Sequence, residues 1–145
     1  MSTVSKVLEK KGAGILSVSP DTIVFDAIEK MAERSAGTAL VMEDGQLVGL
    51  ISERDFIRKV YLKNKCGQGV KVSGIMSRTL STVTPDDQLD RCMGIMTEKR
   101  IRHLPVLQDG NVVGILSIGD IVKYMVEEKD FEIKNLQSYI SGPGL

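Results

Sequence analysis

Between Thr22 and Ser35 the apolar side chains Val24, Ala27, Ile28 and Met31 recur at intervals of three and four, while Asp26, Glu29, Lys30, Glu33 and Arg34 fall on other faces. That is the period of a helix with one buried stripe. Before it, the short apolar segment from Ile15 to Val18 is closed by Ser19-Pro20-Asp21, a combination that ends a strand and can open a helix. After it, the apolar runs from Thr38 to Met42 and from Leu47 to Ile51 flank Glu43-Asp44-Gly45-Gln46. Asp-Gly supplies the positive backbone angles of a tight turn, so the two runs are predicted to pair as an antiparallel hairpin. Past Ser52 the pattern turns helical again through Phe56, Ile57 and Val60. The predicted unit is βαββα.

The same pattern returns further along. A shift of 65 residues aligns Val18 to Val60 with Val83 to Met125 without a gap, and 12 of these 43 positions are identical. They include Pro20/Pro85, Asp44/Asp109, Gly45/Gly110, Gly49/Gly114, Ser52/Ser117 and Asp55/Asp120. The second copy therefore predicts a strand over Leu80 to Val83, a helix over Leu89 to Met96, a hairpin of His103 to Leu107 and Val112 to Leu116, and a helix from Ser117 to about Val126. A fainter echo precedes each copy: Val4 to Leu8 resembles Val72 to Met76 at a shift of 68, so the first copy holds three extra residues before its first strand. The expected division is repeat 1 over 4–62, a polar linker over 63–71, repeat 2 over 72–127 and a C-terminal helix and tail over 128–145. A small three-stranded sheet with helices on one side leaves much apolar surface open. The halves are thus predicted to pack together about a pseudo-twofold axis, giving an α+β fold. Ile133, Leu136 and Ile140 make the segment from Asp130 to Ile140 amphipathic, suited either to extending the core or to binding a second subunit.

Composition narrows the function. Of 145 residues 42% are hydrophobic, and 19 basic side chains balance 19 acidic ones, so no overall field draws the chain to nucleic acid or to an anionic membrane. Charges interrupt every apolar stretch short of the roughly 18 residues that a membrane-spanning helix needs. The N-terminal segment has no apolar signal core, and a cytoplasmic location is expected. Cys66 and Cys92 form no C-x-x-C pair and His103 is the lone histidine, which leaves no metal ligand set. Cys92 shares a helical face with Leu89, Met93 and Met96 and reads as a core residue, whereas Cys66 in the linker is the more reactive thiol.

Chemistry concentrates where a strand hands over to a helix, at Ser52-Glu53-Arg54-Asp55 and Ser117-Ile118-Gly119-Asp120. Serine followed three residues later by an acid is a helix-capping box. The pattern also suits binding: a strand end feeding a helix N-terminus attracts anions, a carboxylate there can accept both hydroxyls of a ribose, and a reciprocal box favours Glu or Gln over Asp. The two roles are compatible.

Together with Arg102-His103-Leu104-Pro105-Val106 on the preceding strand, the runs Gly49-Leu50-Ile51-Ser52-Glu53-Arg54-Asp55 and Gly114-Ile115-Leu116-Ser117-Ile118-Gly119-Asp120 resemble the tandem cystathionine-β-synthase (CBS) domain family, over roughly residues 4–127. The resemblance is to its small stand-alone members. It implies a regulatory module that binds an adenine nucleotide such as AMP, ATP or NAD(H), with no catalytic cofactor. Asp55 and Asp120 become ribose acceptors, Ser52 and Ser117 phosphate or ribose contacts, and Arg102 and His103 polar groups aimed at phosphate. Thr38, Ala39, Thr79, Leu104 and Pro105 complete the clefts. Arg54 has Gly119 as its counterpart, and Arg102 and His103 have Gly37 and Thr38, so the two clefts are expected to differ in affinity or ligand. A homodimer and an unidentified regulated protein follow as partners, with no nucleic acid and no membrane. Two other readings stand beside it: a nucleotide-processing enzyme using His103 as a base, and a structural dimerisation module with degenerate sites.

Overall fold

The computed structural model describes residues 2–12, 14–63 and 69–140. In the first copy, β1 (Ser17–Val18) pairs in parallel with β2 (Thr38–Glu43), which pairs antiparallel with β3 (Gln46–Ser52). Helix α2 (Val24–Glu33) crosses between β1 and β2, and α3 (Glu53–Phe56) follows β3 and passes into a π-helical turn at Ile57–Tyr61. The second copy holds α4 (Leu89–Lys99), the hairpin β4 (His103–Gln108) and β5 (Asn111–Ser117), and α5 (Ile118–Ile140). The hairpin turns are duplicated in detail. Asp44 and Gly45 have φ of 50° and 77°, Asp109 and Gly110 have 52° and 80°, the two positive angles of a type I′ turn. Each hairpin also shifts register at the same place, between Val41 and Met42 and between Val106 and Leu107.

Two expectations need correcting. The strand predicted over Leu80 to Val83 is only a single parallel bridge between Val83 and Val106. In the first copy, Leu40 N–H donates to the Leu16 carbonyl at 3.0 Å; its equivalent in the second copy is Pro105, which has no N–H to donate. The helix predicted to stop near Val126 continues unbroken to Ile140, absorbing the separate C-terminal segment. Its last twelve residues are exposed and add nothing to the core of this chain.

Each copy's core is completed by the segment that precedes the other. Helix α1 (Val4–Lys11) buries Val4 and Val7 among Val83, Leu89, Cys92, Leu104, Leu116 and Ile121 of the second copy. Reciprocally, Val72, Ile75 and Met76 join Val18, Val24, Met31, Val41 and Ile51 of the first. The same exchange satisfies the helix ends, which would otherwise leave amides unpaired. The α2 N-terminus donates from Val24 N–H to the Val70 carbonyl at 2.8 Å, and the α4 N-terminus donates from Leu89 N–H to the Ser2 carbonyl at 3.0 Å. Because each contact recurs with the copies interchanged, the halves are related by a twofold operation. The duplicated glycines mark the closest approach. A Cβ on Gly49 would stand 2.6 Å from Met76 Sδ, and one on Gly114 would stand 2.9 Å from Leu8 Cδ2.

Candidate functional site

Two clefts flank the pseudo-axis. The larger, about 630 Å³, lies under the end of β3 and is lined by Thr38, Ser52, Arg54, Asp55, Thr79, Arg102, His103 and Pro105. The smaller, about 360 Å³, is lined by Thr38, His103, Ser117, Lys11 and Arg34 among others. They share a wall, where Thr38 Oγ1 and His103 Nδ1 meet at 3.0 Å. Burial holds the His103 imidazole below its ordinary range, with Lys11 adding to the effect, so at neutral pH it is an uncharged hydrogen-bonding group.

A reciprocal capping box stands at each strand-to-helix junction: both of its residues line the larger cleft, whereas at the smaller only Ser117 does and Asp120 lies behind it. Ser52 N–H donates to Asp55 Oδ2 at 3.0 Å while Asp55 N–H donates to Ser52 Oγ at 3.1 Å. The second copy repeats this with Ser117 N–H to Asp120 Oδ2 and Asp120 N–H to Ser117 Oγ, both at 3.0 Å. Asp therefore serves in the box as well as Glu or Gln, contrary to the compositional preference. The helix entry is fixed from the other side by Glu53 N–H to the Gly37 carbonyl and Ile118 N–H to the Arg102 carbonyl, at 3.0 and 2.9 Å.

The counter-ions of the two acids come from different places. Asp55 Oδ1 faces Lys59 Nζ at 3.2 Å, one turn along the same helix. Asp120 Oδ2 takes a bond of 2.7 Å from Lys11 Nζ, which α1 brings from the far end of the chain. Burial alone pushes the Asp120 carboxyl up, but Lys11 and the Ser117 amide together hold it below the usual carboxylate range.

Thus the structure gathers eight of the expected residues around the larger cleft, and Thr38, His103 and Ser117 around the smaller. Ala39 and Leu104 are fully buried in the cores, and Gly119 sits in the first turn of α5. Neither Arg100 in the larger cleft nor Lys11 in the smaller was among the expected site residues. Arg100 is the left-handed C-cap of α4, with φ of 55°, which turns it out of the helix toward the cleft. Among the described residues, Arg54, Arg100 and Arg102 have no carboxylate partner. The Cys92 thiol is buried and pushed up to about 11, as a core residue requires; Cys66 lies outside the described residues. Among the described residues there is no cluster of metal-ligating side chains, and no helix is long and apolar enough to cross a membrane.

The CBS domain profile matches residues 11–62 and 72–127. The CBS domain-containing protein CBSX3, mitochondrial, of Arabidopsis thaliana is 37% identical over 150 aligned residues, which cover 97% of this chain and 73% of that protein. Among solved structures, the CBS domain protein NE2398 is 46% identical with a TM-score of 0.82, over 86% of this chain and 98% of that one. The CBS domain pair of protein MJ0100 shares the fold at 23% identity and a TM-score of 0.77, over 88% of this chain and 98% of that one.

Proposed function

The chain belongs to the CBS domain family, and from that premise we propose that it is a regulatory module that binds an adenine nucleotide between its two halves and alters its surface for a partner protein. The observation that carries this reading is the larger cleft, where the Ser52–Asp55 box faces Arg54, Arg100 and Arg102. The Asp55 carboxylate accepts ribose hydroxyls, and the guanidiniums take the phosphates in charge-assisted hydrogen bonds. Apolar side chains of Leu50, Leu80, Ile101 and Pro105 border the adenine. AMP, ATP and NAD(H) fit this division of roles. The MJ0100 pair was solved with 5′-methylthioadenosine and S-adenosyl-L-methionine, ligands with the same adenosine core. A ligand held between the halves shifts their packing wherever it binds one arrangement better, and that is how occupancy reaches a partner.

The test is a thermal-shift and calorimetric panel of AMP, ATP, NAD and S-adenosylmethionine, repeated on Asp55→Ala and Asp120→Ala. A ligand at 100 times its Kd stabilises by about 2.7 kcal/mol. No response to any of the four sinks the proposal, and nucleotide consumption with product formation favours the enzyme reading instead. We also assign a homodimer. Ile57 and Tyr61 are 51% and 62% exposed, and their equivalents Val122 and Val126 are 52% and 53% exposed, so each copy leaves a matched apolar patch that a second chain can cover in an isologous interface. Light scattering showing a monomer at micromolar concentration overturns that assignment.

A further inference from the structure

Lys11 ends α1 and enters the smaller cleft. Its ammonium donates to Asp120 Oδ2 at 2.7 Å and to the Ile115 carbonyl at 2.8 Å. An ammonium has three donors, so one is unspent. On the acid, the Ser117 amide and Lys11 both bind Oδ2, and among the described residues nothing binds Oδ1. Lys11 therefore leaves Asp120, which sits behind the lining residue Ser117, one unbonded carboxylate oxygen.

The larger cleft has no lysine in its lining: the ammonium paired with Asp55 is that of Lys59, on the same helix, and its other bond goes to the Ile75 carbonyl at 2.8 Å. There the carbonyl equivalent to that of Ile115 belongs to Leu50, and it is bonded by the backbone N–H of Ser77 at 2.9 Å. The difference traces to the three extra residues of the first lead-in segment. The second lead-in is a single 3-10 turn at Val72–Gly74, whereas α1 runs eight residues and carries Lys10 and Lys11 in its last turn. Lys10 pins that turn against α5, 5.0 Å above the Tyr124 ring. Extending the 68-residue register places Thr79, a hydroxyl, opposite Lys11.

Resting on the reading of the clefts as nucleotide sites, we infer that Lys11 sets the ligand class of the smaller cleft: it selects an adenosine ligand with an anionic 5′ group, a nucleoside monophosphate, over an uncharged nucleoside or a sulfonium-bearing one. Lys11 neutralises Asp120, and Arg34 adds a second cation to the lining. A sulfonium would meet the Arg34 cation with the Asp120 charge already taken up by Lys11, whereas a phosphate meets the unspent Lys11 donor. At about 360 Å³ the cleft lies near the small end of ligand pockets, which suits one phosphate better than a dinucleotide.

The experiment is calorimetric titration of the full chain carrying Asp55→Ala, which silences the larger cleft, with AMP, adenosine and S-adenosylmethionine. AMP is expected to bind tightest. Adding Lys11→Met narrows the preference for AMP over adenosine by about tenfold or more, as expected for loss of a charged hydrogen bond, while Lys11→Arg retains it. Should Met at this position unfold the chain, Lys11→Gln is read the same way. An AMP-to-adenosine preference unchanged or increased by Lys11→Met overturns the inference, as does loss of all binding in Asp55→Ala alone. The unsubstituted protein binding none of the three ligands overturns the reading of both clefts instead.

Discussion

Thr38 and His103 occupy the same position in the two copies of the repeat, and they bond to each other, Oγ1 to Nδ1 at 3.0 Å. Two equivalent residues can touch only where the pseudo-axis passes, so this bond marks it, and it forms the wall common to both clefts.

A pH dependence follows. Burial, reinforced by Lys11, depresses the His103 pKa in the folded state below its ordinary value of 6.5. As pH falls through 6.5 the unfolded chain takes up a proton that the folded one resists. The contribution to stability is therefore complete above the unfolded value and is lost as pH falls toward the folded one. Denaturant unfolding between pH 7.5 and 5 is expected to show stability falling with acidification, and His103→Gln is expected to flatten that slope. Thr38→Val, which leaves Nδ1 without its partner, should cost about 1–3 kcal/mol at neutral pH. An unchanged slope in His103→Gln would remove the histidine from this account.

The matched glycines make a different forecast. A Cβ at position 49 meets Met76 Sδ at 2.6 Å and also the Ser77 carbonyl oxygen at 3.1 Å, which is backbone. At position 114 it meets only the end of the Leu8 side chain, with Cδ2 at 2.9 Å and Cδ1 at 3.1 Å. Side chains can turn aside and backbone cannot, so Gly49→Ala is expected to be the more destabilising, by roughly 1–3 kcal/mol for an overpacked contact. Chemical denaturation of the two variants checks the order, and the reverse order would place the tight contact in the other half.

Period and turn chemistry made both hairpins and α2 legible from sequence, because Asp-Gly turns and a three-four stripe are local properties. The duplication made the twofold relation legible as well. What stayed hidden was nonlocal. Nothing in Val4 to Leu8 or Val72 to Met76 announces that each segment packs on the other copy; their apolar pattern is satisfied equally by either core. The three extra residues before the first strand were visible, but their consequence, a longer α1 that carries Lys11 onto Asp120, depends on where that helix docks. Pro105 was visible too, and its removal of one ladder bond explains why Leu80 to Val83, though apolar enough for a strand, pairs only at Val83.

The two acids offer a comparison in the absence of ligand. Both accept a capping bond, so replacing either with Ala loses about 0.5–2 kcal/mol on the scale of helix caps. Asp55→Ala strips Lys59, which belongs to the same helical segment, whereas Asp120→Ala strips Lys11, which helps to hold α1 against the second copy. Asp120→Ala is expected to lower the denaturation midpoint further than Asp55→Ala does. The Asp120 pKa is depressed below 3.8 in the folded state, so this contribution is present above the unfolded value and is lost as pH falls through the folded one. The gap between the two variants should close in acid. Binding losses in these variants are best taken from calorimetry, since a lowered baseline melting temperature would otherwise be mistaken for a lost ligand.

Pro105 links fold and cleft most directly. It lines the larger cleft beside Leu80 and Ser81, the very residues that a donor at position 105 would draw in, as Leu40 draws in Leu16. Pro105→Leu supplies that donor. The added bond contributes about 0.5–1.5 kcal/mol, and the loss of proline's restraint on the unfolded chain offsets it by about 0.4–1 kcal/mol, so net stability should change little. The cleft should change more. With Leu80 and Ser81 pulled onto β4 the space beside Asp55 narrows, and nucleotide affinity in calorimetry is expected to fall while the amide at position 105 becomes slow to exchange with deuterium. A fast-exchanging amide there would show that something other than the missing donor keeps the first strand of the second copy off the sheet.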